Sequence, residues 1–343
     1  MLFSGFILLP ALLASVMASV TASPVLTAEN GHHSDQVNAR TLYQFENGTR
    51  IENIAVRKNG NLLVTLSDRP ELYEIDPFNP ASPKLIHHFA GYLGLGGITE
   101  TTPDIFTVNA GNITFGPFRA IPESFSVWKL DFNNCGGRAK VSKVTDMPDA
   151  LYLNGMTTLD SRVGTILTGD CASGRVFRVD TRTGDYTVAL DDELLQPPPN
   201  AILPVGVNGI RLIGHYLYFT NTFKALYGRV PVDLVTGRAK GPYEVLATNI
   251  ISDDLAVRSG VGYLAGSQGN VIYEVQSDGT RKVIAGNLNS TVVASSTSAA
   301  FGRTKKDMNT LYVVTSGTEA APVNGTYIEP GKVVALDVHG SNY

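Results

Sequence analysis

Four oxygen-bearing side chains recur along this sequence, each just ahead of an alternating apolar run. They are Glu52 in IENIAV, Asn154 in LNGMTTL, Asn208 in VNGIRL and Asp253 in SDDLAV. Two carboxylates and two amide carbonyls are hard-oxygen ligands of the kind that Ca²⁺ and Mg²⁺ prefer. The same groups can also position the carbonyl of a ligand. A fold that brings them together would therefore make either a metal site or a small-molecule site.

The spacing of these segments indicates which fold would bring them together. Two further segments, GGITET from Gly96 and STSAAF from Ser296, fill the gaps, so six units of about 50 residues follow one another. Each unit contains short alternating runs separated by turn residues, which are strand and hairpin signals. The pattern predicts an all-β protein, a six-bladed β-propeller. In that fold the innermost strand of every blade starts near one mouth of a central channel.

Three segments interrupt this repeat. Residues 23–47 are predicted to supply a strand that closes the ring with the sixth unit and so removes a sheet edge. The second unit carries an insertion that runs through Phe118. Residues 191–204 include Pro197-Pro198-Pro199 and predict a rigid connection that can overhang one mouth.

Residues 1–22 carry no charge and have a long apolar centre, which predicts a secretory signal peptide followed by a single propeller domain at 23–343. The apolar run is too short to favour a membrane anchor, so we expect no membrane association. Four acceptor triplets for N-glycosylation agree with export. They begin at Asn47, Asn112, Asn289 and Asn324. We therefore expect a glycoprotein that is secreted or stays in the lumen of the secretory pathway.

Composition narrows the choice of partners. Charged residues make up 17% of the chain and the net charge is −4, with no basic face, which argues against nucleic acid. We expect a small-molecule substrate and a monomer or weak dimer. Cys135 and Cys171 are the two cysteines, and in an exported protein they form either one disulfide or two unpaired thiols.

The segments IENIAVR, LNGM, GVNGI, LYFTNT, DDL and AFGRT resemble the SMP-30/gluconolactonase/LRE-like propellers over residues 45–340. Members of that group hold a divalent cation, often Ca²⁺, with one Glu, two Asn and one Asp. The resemblance assigns these roles to Glu52, Asn154, Asn208 and Asp253, and in the lactonases the Asp is also the general base. Two departures crowd the mouth: Asn53-Ile54 follows Glu52, and Asp254 stands in place of a Gly.

The match is closer to a fungal secreted branch that includes hetero-Diels–Alderases of secondary metabolism, which join a quinone methide to a terpene olefin. Such a reaction requires no cofactor, because positioning and hydrogen bonding lower its barrier. The amides, hydroxyls and acids expected near the mouth are the candidates for this work. We predict catalytic roles for Asn154, Asn208, Asn221 and Asp253, and substrate contacts for Glu52, Thr220, Tyr218 and Thr297. Thr220 and Asn221 end the second strand of the fourth unit, so they either point toward the mouth or satisfy a loop. The alternatives are a divalent-metal-dependent lactonase that resembles the gluconolactonases and a non-catalytic propeller that binds a small molecule or glycan.

Overall fold

The computed structural model describes residues 36–115, 118–133, 138–201 and 203–338, which belong to one compact unit. Within these residues the chain forms 26 β-strands and a short 3-10 helix, Ser267–Gly269. No helix among them has the length and apolar character needed to cross a bilayer. The signal peptide predicted at residues 1–22 lies outside the described residues, so that boundary stays a prediction.

The strands form six four-stranded antiparallel sheets, one for each predicted unit, and a small hairpin. Blade 1 consists of β2 (Ile51–Val56), β3 (Leu62–Leu66), β4 (Glu71–Ile75) and β5 (Lys84–His88). Blade 2 consists of β6 (Gly94–Thr102), β7 (Ile105–Gly111), β10 (Ser126–Asp131) and β11 (Lys140–Asp146). Blade 3 consists of β12 (Leu153–Asp160), β13 (Thr165–Asp170), β14 (Arg175–Asp180) and β15 (Tyr186–Asp191). Blade 4 consists of β16 (Val207–Ile213), β17 (Tyr216–Asn221), β18 (Leu226–Pro231) and β19 (Glu244–Thr248). Blade 5 consists of β20 (Leu255–Arg258), β21 (Val261–Gly266), β22 (Val271–Val275) and β23 (Arg281–Gly286). Blade 6 consists of β24 (Ser296–Phe301), β25 (Thr310–Thr315), β26 (Lys332–Asp337) and β1 (Ala39–Gln44). The predicted insertion in blade 2 forms the hairpin of β8 (Ile113–Phe115) and β9 (Phe118–Ala120).

The six blades close into a ring. The innermost strands contact one another in the order β2, β6, β12, β16, β20 and β24, and β24 contacts β2 again. Strand β1 pairs with β26, from Ala39 opposite Leu336 to Gln44 opposite Lys332, and completes blade 6. The all-β, six-bladed propeller is confirmed, and so is its closure by a strand from residues 23–47.

Apolar residues between the blades hold the ring together. Six buried clusters lie one at each junction between neighbouring blades. The second strands are almost completely buried, as in β3 and β13, whereas the outer strands β5 and β15 are partly exposed. This burial gradient explains the sequence pattern, because a second strand that is covered on both faces carries a nearly continuous apolar run.

The predicted glycosylation sites differ in accessibility. Asn47, Asn289 and Asn324 are exposed. Asn112 is half-buried, and its Oδ1 accepts a hydrogen bond of 2.9 Å from the backbone N–H of Leu93. Glycosylation stays a prediction at all four positions.

Candidate functional site

Five of the six inner strands carry a β-bulge near the start, at the same relative position. Pairing with the second strand slips between Ile51 and Asn53 in β2, between Leu153 and Met156 in β12, and at the corresponding places in β6, β16 and β24. A bulge re-aims a side chain that a regular strand would direct elsewhere. We call the residues at this level the first ring. They are Glu52, Gly96, Asn154, Asn208, Asp253, which precedes β20, and Thr297.

The four residues predicted from the sequence meet in the first ring as two hydrogen-bonded pairs. Asn154 Nδ2 donates to Glu52 Oε1 at 2.8 Å, and Asn208 Nδ2 donates to Asp253 Oδ1 at 2.8 Å. Asn208 Nδ2 also donates to Thr222 Oγ1 at 3.0 Å. Glu52 of blade 1 is thus paired with an amide of blade 3, and Asp253 of blade 5 with an amide of blade 4, although 102 and 45 residues separate the partners in sequence.

The two acids act on each other electrostatically. Burial raises the pKa of Glu52, although the hydrogen bond from Asn154 and the charge of Arg50 oppose that shift. Burial, and then the charges of Glu52 and Asp254, raise the pKa of Asp253 well above its ordinary value. Two carboxyl groups that share a poorly solvated mouth ionise less readily than they would in water.

Two buried side chains that the sequence reasoning did not assign to the site extend it. Burial and the charges of Glu52 and Asp253 raise the pKa of the Tyr152 hydroxyl well above its ordinary value. Burial also raises the pKa of the Cys171 thiol, whose Sγ donates to Asn208 Oδ1 at 3.8 Å.

The disulfide predicted between Cys135 and Cys171 stays a prediction, because Cys135 lies outside the described residues. Cys171 is buried in the connection between β13 and β14, and it forms no disulfide with a described residue.

A second ring lies one residue further along each inner strand. It comprises Asn53, Gly97, Gly155, Gly209, Asp254 and Ser298. Asp254 Oδ2 accepts from Asn53 Nδ2 at 2.9 Å, from Ser298 Oγ at 2.9 Å and from Arg211 Nη2 at 2.6 Å. Asp253 joins the first ring, whereas Asp254 is held in this buried network.

Arg211 closes the channel beneath the rings. Its Nη1 donates to the carbonyl of Ile210 at 2.8 Å while its Nη2 pairs with Asp254. Beyond it, a cavity of about 160 Å³ lies at the other end of the inner strands, lined partly by Val56 and Glu100. The ion pair of Arg211 and Asp254 therefore forms a polar floor beneath the first ring.

The glycines of the second ring explain the Asn-Gly dipeptides. A Cβ on Gly155 would lie 2.1 Å from the backbone oxygen of Asn208, and a Cβ on Gly97 would lie 2.2 Å from that of Asn154. Neither glycine has a positive φ, so neither serves a tight turn. Each is required because the inner strand of the next blade passes against it.

The sequence suggested four other site residues, and their side chains form hydrogen bonds within the protein or pack in an apolar cluster. Thr220 Oγ1 bonds to the backbone carbonyl of Asp253, and Thr297 Oγ1 donates to that of Ile51 at 2.9 Å. Tyr218 is buried in the apolar cluster between blades 4 and 5. The structure gives none of these three a polar atom that is free for a ligand.

Asn221 is likewise fully buried, because it anchors the proline-containing connection. Its Nδ2 donates to the carbonyls of Leu194 at 3.0 Å and Gln196 at 2.8 Å. The Oδ1 accepts from the backbone N–H of Lys224 at 3.1 Å. Asn221 therefore positions residues 194–196 at the mouth end and has no group left for substrate.

Exposed apolar residues surround the mouth. They lie on the connections that lead into the inner strands or that join the second and third strands, all at the first-ring end. We call them the collar: Leu93, Ile121, Leu151, Phe223, Ile251, Leu288, Val292, Tyr327 and Ile328. A polar centre inside an apolar rim is the usual architecture of a site for a largely apolar small molecule.

The first ring also fits a hard divalent cation by its donor set. Glu52, Asn154, Asn208 and Asp253 would hold it, provided that both amides turn their oxygens inward, and it would relieve the repulsion between the two acids. In the arrangement described here, both amides direct nitrogen towards a carboxylate instead. The described residues contain no group of three or more His, Cys, Asp or Glu side chains placed to hold a metal ion.

The solved structures similar to this one share its architecture. A luciferin-regenerating enzyme aligns with a TM-score of 0.64 at 12% identity, covering 89% of this chain and 96% of its own. Regucalcin from Agrobacterium tumefaciens, a calcium-binding protein, gives 0.58 at 17% identity over 89% and 96%. A gluconolactonase from Xanthomonas campestris gives 0.58 at 12% identity over 88% and 90%. The chain has the SMP-30/gluconolactonase/LRE-like propeller fold.

Two sequence relatives carry an enzymatic name. A "putative hetero-Diels-Alderase" from Phoma sp. is 28% identical over 329 residues, which cover 88% of this chain and 93% of the relative. The "putative hetero-Diels-Alderase asR5" of Sarocladium schorii is 28% identical over 344 residues, or 90% and 86%. No protein-family profile matches the chain. The resemblance stated from the sequence, to these propellers and to hetero-Diels–Alderases, is confirmed.

Proposed function

We propose that this protein is a hetero-Diels–Alderase of fungal secondary metabolism that joins a quinone methide to a terpene olefin at the first-ring mouth. The observation that carries the proposal is the combination of a polar first ring and an apolar collar at the same end of the propeller. The names of the two relatives support the reaction class. Export through the secretory pathway belongs to the same proposal and rests on residues 1–22.

The reaction places few demands on the protein. The oxygen–carbon diene of the quinone methide and the carbon–carbon double bond of the olefin form one C–C and one C–O bond together. No proton, electron or leaving group is transferred. Holding both partners in a near-attack geometry replaces a bimolecular encounter with an effectively unimolecular step, which can contribute several kcal/mol.

The collar and the first ring have different roles in this positioning. Leu288 is 66% exposed and Phe223 is 40% exposed, so both gain from covering the terpene. The floor made by Arg211 and Asp254 stops the partners from passing through the channel. A hydrogen-bond donor directed at the quinone methide oxygen stabilises the negative charge that accumulates there when the C–C bond forms ahead of the C–O bond.

The direct test supplies both reactants to the purified protein. An ortho-quinone methide generated in situ from 2-hydroxybenzyl alcohol is mixed with a terpene olefin, and the adduct is quantified by chiral chromatography. We expect faster adduct formation than in buffer and an excess of one enantiomer. A racemic adduct formed at the background rate would refute the proposal and leave a binding protein.

Paired variants test the collar separately. Leu288→Ser removes an apolar side chain from the mouth end, whereas Val235→Ser removes one of similar exposure, 68%, from the connection between β18 and β19 at the opposite end. We expect the KM for the olefin to rise several-fold in the first variant and to stay unchanged in the second.

A metal-dependent lactonase is the second candidate, and the acid–amide donor set of the first ring favours it. The cation would polarise the lactone carbonyl. Glu52 and both asparagines would hold the ion, while the half-buried Asp253 is placed to take a proton from water. Metal analysis of the purified protein beside Glu52→Ala, with hydrolysis of glucono-δ-lactone in Ca²⁺, tests this candidate. One Ca²⁺ per chain that is lost in the variant, together with hydrolysis, would favour it over the cycloaddition.

A further inference from the structure

The side chain of Arg50 differs from the other charged groups of the mouth because it has no hydrogen-bond acceptor among the described residues. Its Nε is buried and unpaired. No described carboxylate lies within 4.0 Å of its guanidinium, and its hydrogen bonds to described residues all involve the backbone. Buried polar atoms are rarely left without a partner, so the unpaired Nε of Arg50 calls for an explanation.

Two contacts place this guanidinium at the mouth. Arg50 stands two residues before Glu52, and its charge acts on both Glu52 and Asp253. Its Cζ lies 4.5 Å from the centre of the Phe115 ring, on the β8–β9 hairpin that is inserted at the same end of blade 2. Stacking on an aromatic ring holds a guanidinium in place while leaving the N–H groups at its edge available.

Two other arginines close to the inner strands form ion pairs with carboxylates. Arg57 binds Glu74 at 2.5 Å and Asp104 at 2.6 Å. Arg211 binds Asp254 at 2.6 Å. Arg50 is instead oriented by Phe115 and left with free donors beside the first ring, so a ligand group can complete its hydrogen bonding.

We propose that Arg50 is a catalytic residue that binds the oxygen of the heterodiene, and this rests on the proposed cycloaddition. The ligand class is a planar, neutral molecule with a conjugated carbonyl, whose oxygen becomes more negative in the transition state. A guanidinium donates two parallel hydrogen bonds to such an oxygen and polarises the diene. The step transfers no proton, so the permanent charge of the arginine is an advantage.

The test compares Arg50→Gln with Arg50→Lys and with Arg69→Gln. Arg69 lies in the connection between β3 and β4 at the same end and bonds to Thr49 Oγ1 at 2.7 Å, so its removal controls for a general change in charge. Salicylaldehyde serves as the unreactive probe, and its carbonyl stretch is read by infrared difference spectroscopy. Thermal unfolding of each variant shows whether the fold is kept.

We expect Arg50→Gln to slow adduct formation by about 100-fold or more, as the loss of an oxyanion donor does in other enzymes. The lowered carbonyl frequency of the bound probe should return towards its value in buffer. Arg50→Lys should recover part of both effects, and Arg69→Gln should change neither. An unchanged frequency and rate in a folded Arg50→Gln would overturn the role of Arg50 while the cycloaddition stands. A frequency shift that depends on Arg50 in a protein that forms no adduct would support the oxygen site and refute the cycloaddition.

Discussion

The closest packing at the site involves Gly155, and it gives a quantitative prediction. A Cβ at this position would lie 2.1 Å from the Asn208 backbone oxygen and 2.9 Å from the Ile210 nitrogen. Because carbon and oxygen atoms approach to about 3.3 Å, β16 would have to move by roughly 1 Å. Over-packing a core costs about 1–3 kcal/mol, and a clash with backbone on a sheet fixed on both sides belongs at the upper end.

Gly169 supplies a matched control that faces the same atom. A Cβ there would lie 3.7 Å from the Asn208 oxygen, an ordinary contact, and Gly169 has no positive φ. Gly169→Ala should therefore change the free energy of unfolding by less than about 1 kcal/mol. Gly155→Ala should cost about 3 kcal/mol, which lowers Tm by roughly 5 to 10 °C in a domain of this size.

Calorimetry of the two variants beside the parent protein is the assay. The catalytic readout should separate them as well, because Asn208, the residue displaced in Gly155→Ala, belongs to the first ring. Equal Tm values for the two alanine variants would refute the reasoning. They would mean that the Asn-Gly dipeptide does not mark close packing between blades.

Three further outcomes follow from the contacts of the site. Asp253 has a raised pKa, so the folded state binds more protons than the unfolded state above about pH 4, and stability should fall as the pH rises. In the presence of chelator, Asp253→Asn should flatten that dependence, as followed by urea unfolding across pH 4 to 8. Arg211→Met leaves the buried Asp254 carboxylate without its cationic partner and should lower the free energy of unfolding by about 3–5 kcal/mol in chemical denaturation. The double variant with Asp254→Asn should recover part of that loss. Asn221→Ala removes three hydrogen bonds, two of them to residues 194 and 196, and should cost about 3 kcal/mol, with faster proteolysis within residues 194–196.

The propeller could be predicted from the sequence because periodicity survives in every blade. Glu52, Asn154, Asn208 and Asp253 were found for the same reason, since each occupies one position of a repeated unit. The position of a residue within its repeat can be read from the alternating run around it. Residues at equivalent positions of the six repeats are therefore expected to lie in the same ring. The reaction does not follow from this register.

The residues that the sequence did not yield depend on contacts between blades. Nothing near Asn221 shows that its amide binds residues 194–196, and nothing near Asp254 shows that Arg211 lies within reach. Arg50 and Tyr152 did leave a signal, because each stands two residues before a first-ring residue and strand periodicity directs such a side chain to the same face.

The closure of the ring by β1 and β26 has a consequence for how the protein is made. Strand β1 ends at Gln44 and its partner begins at Lys332, so 287 residues must be synthesised between them. At 5–20 residues per second, β1 waits roughly 15 to 60 s on the ribosome as an unpaired edge. Such an edge is a template for aggregation. Cellular yield should therefore depend on how well residues 39–44 are shielded during translation, and chaperone supply should limit production more than the stability of the finished ring.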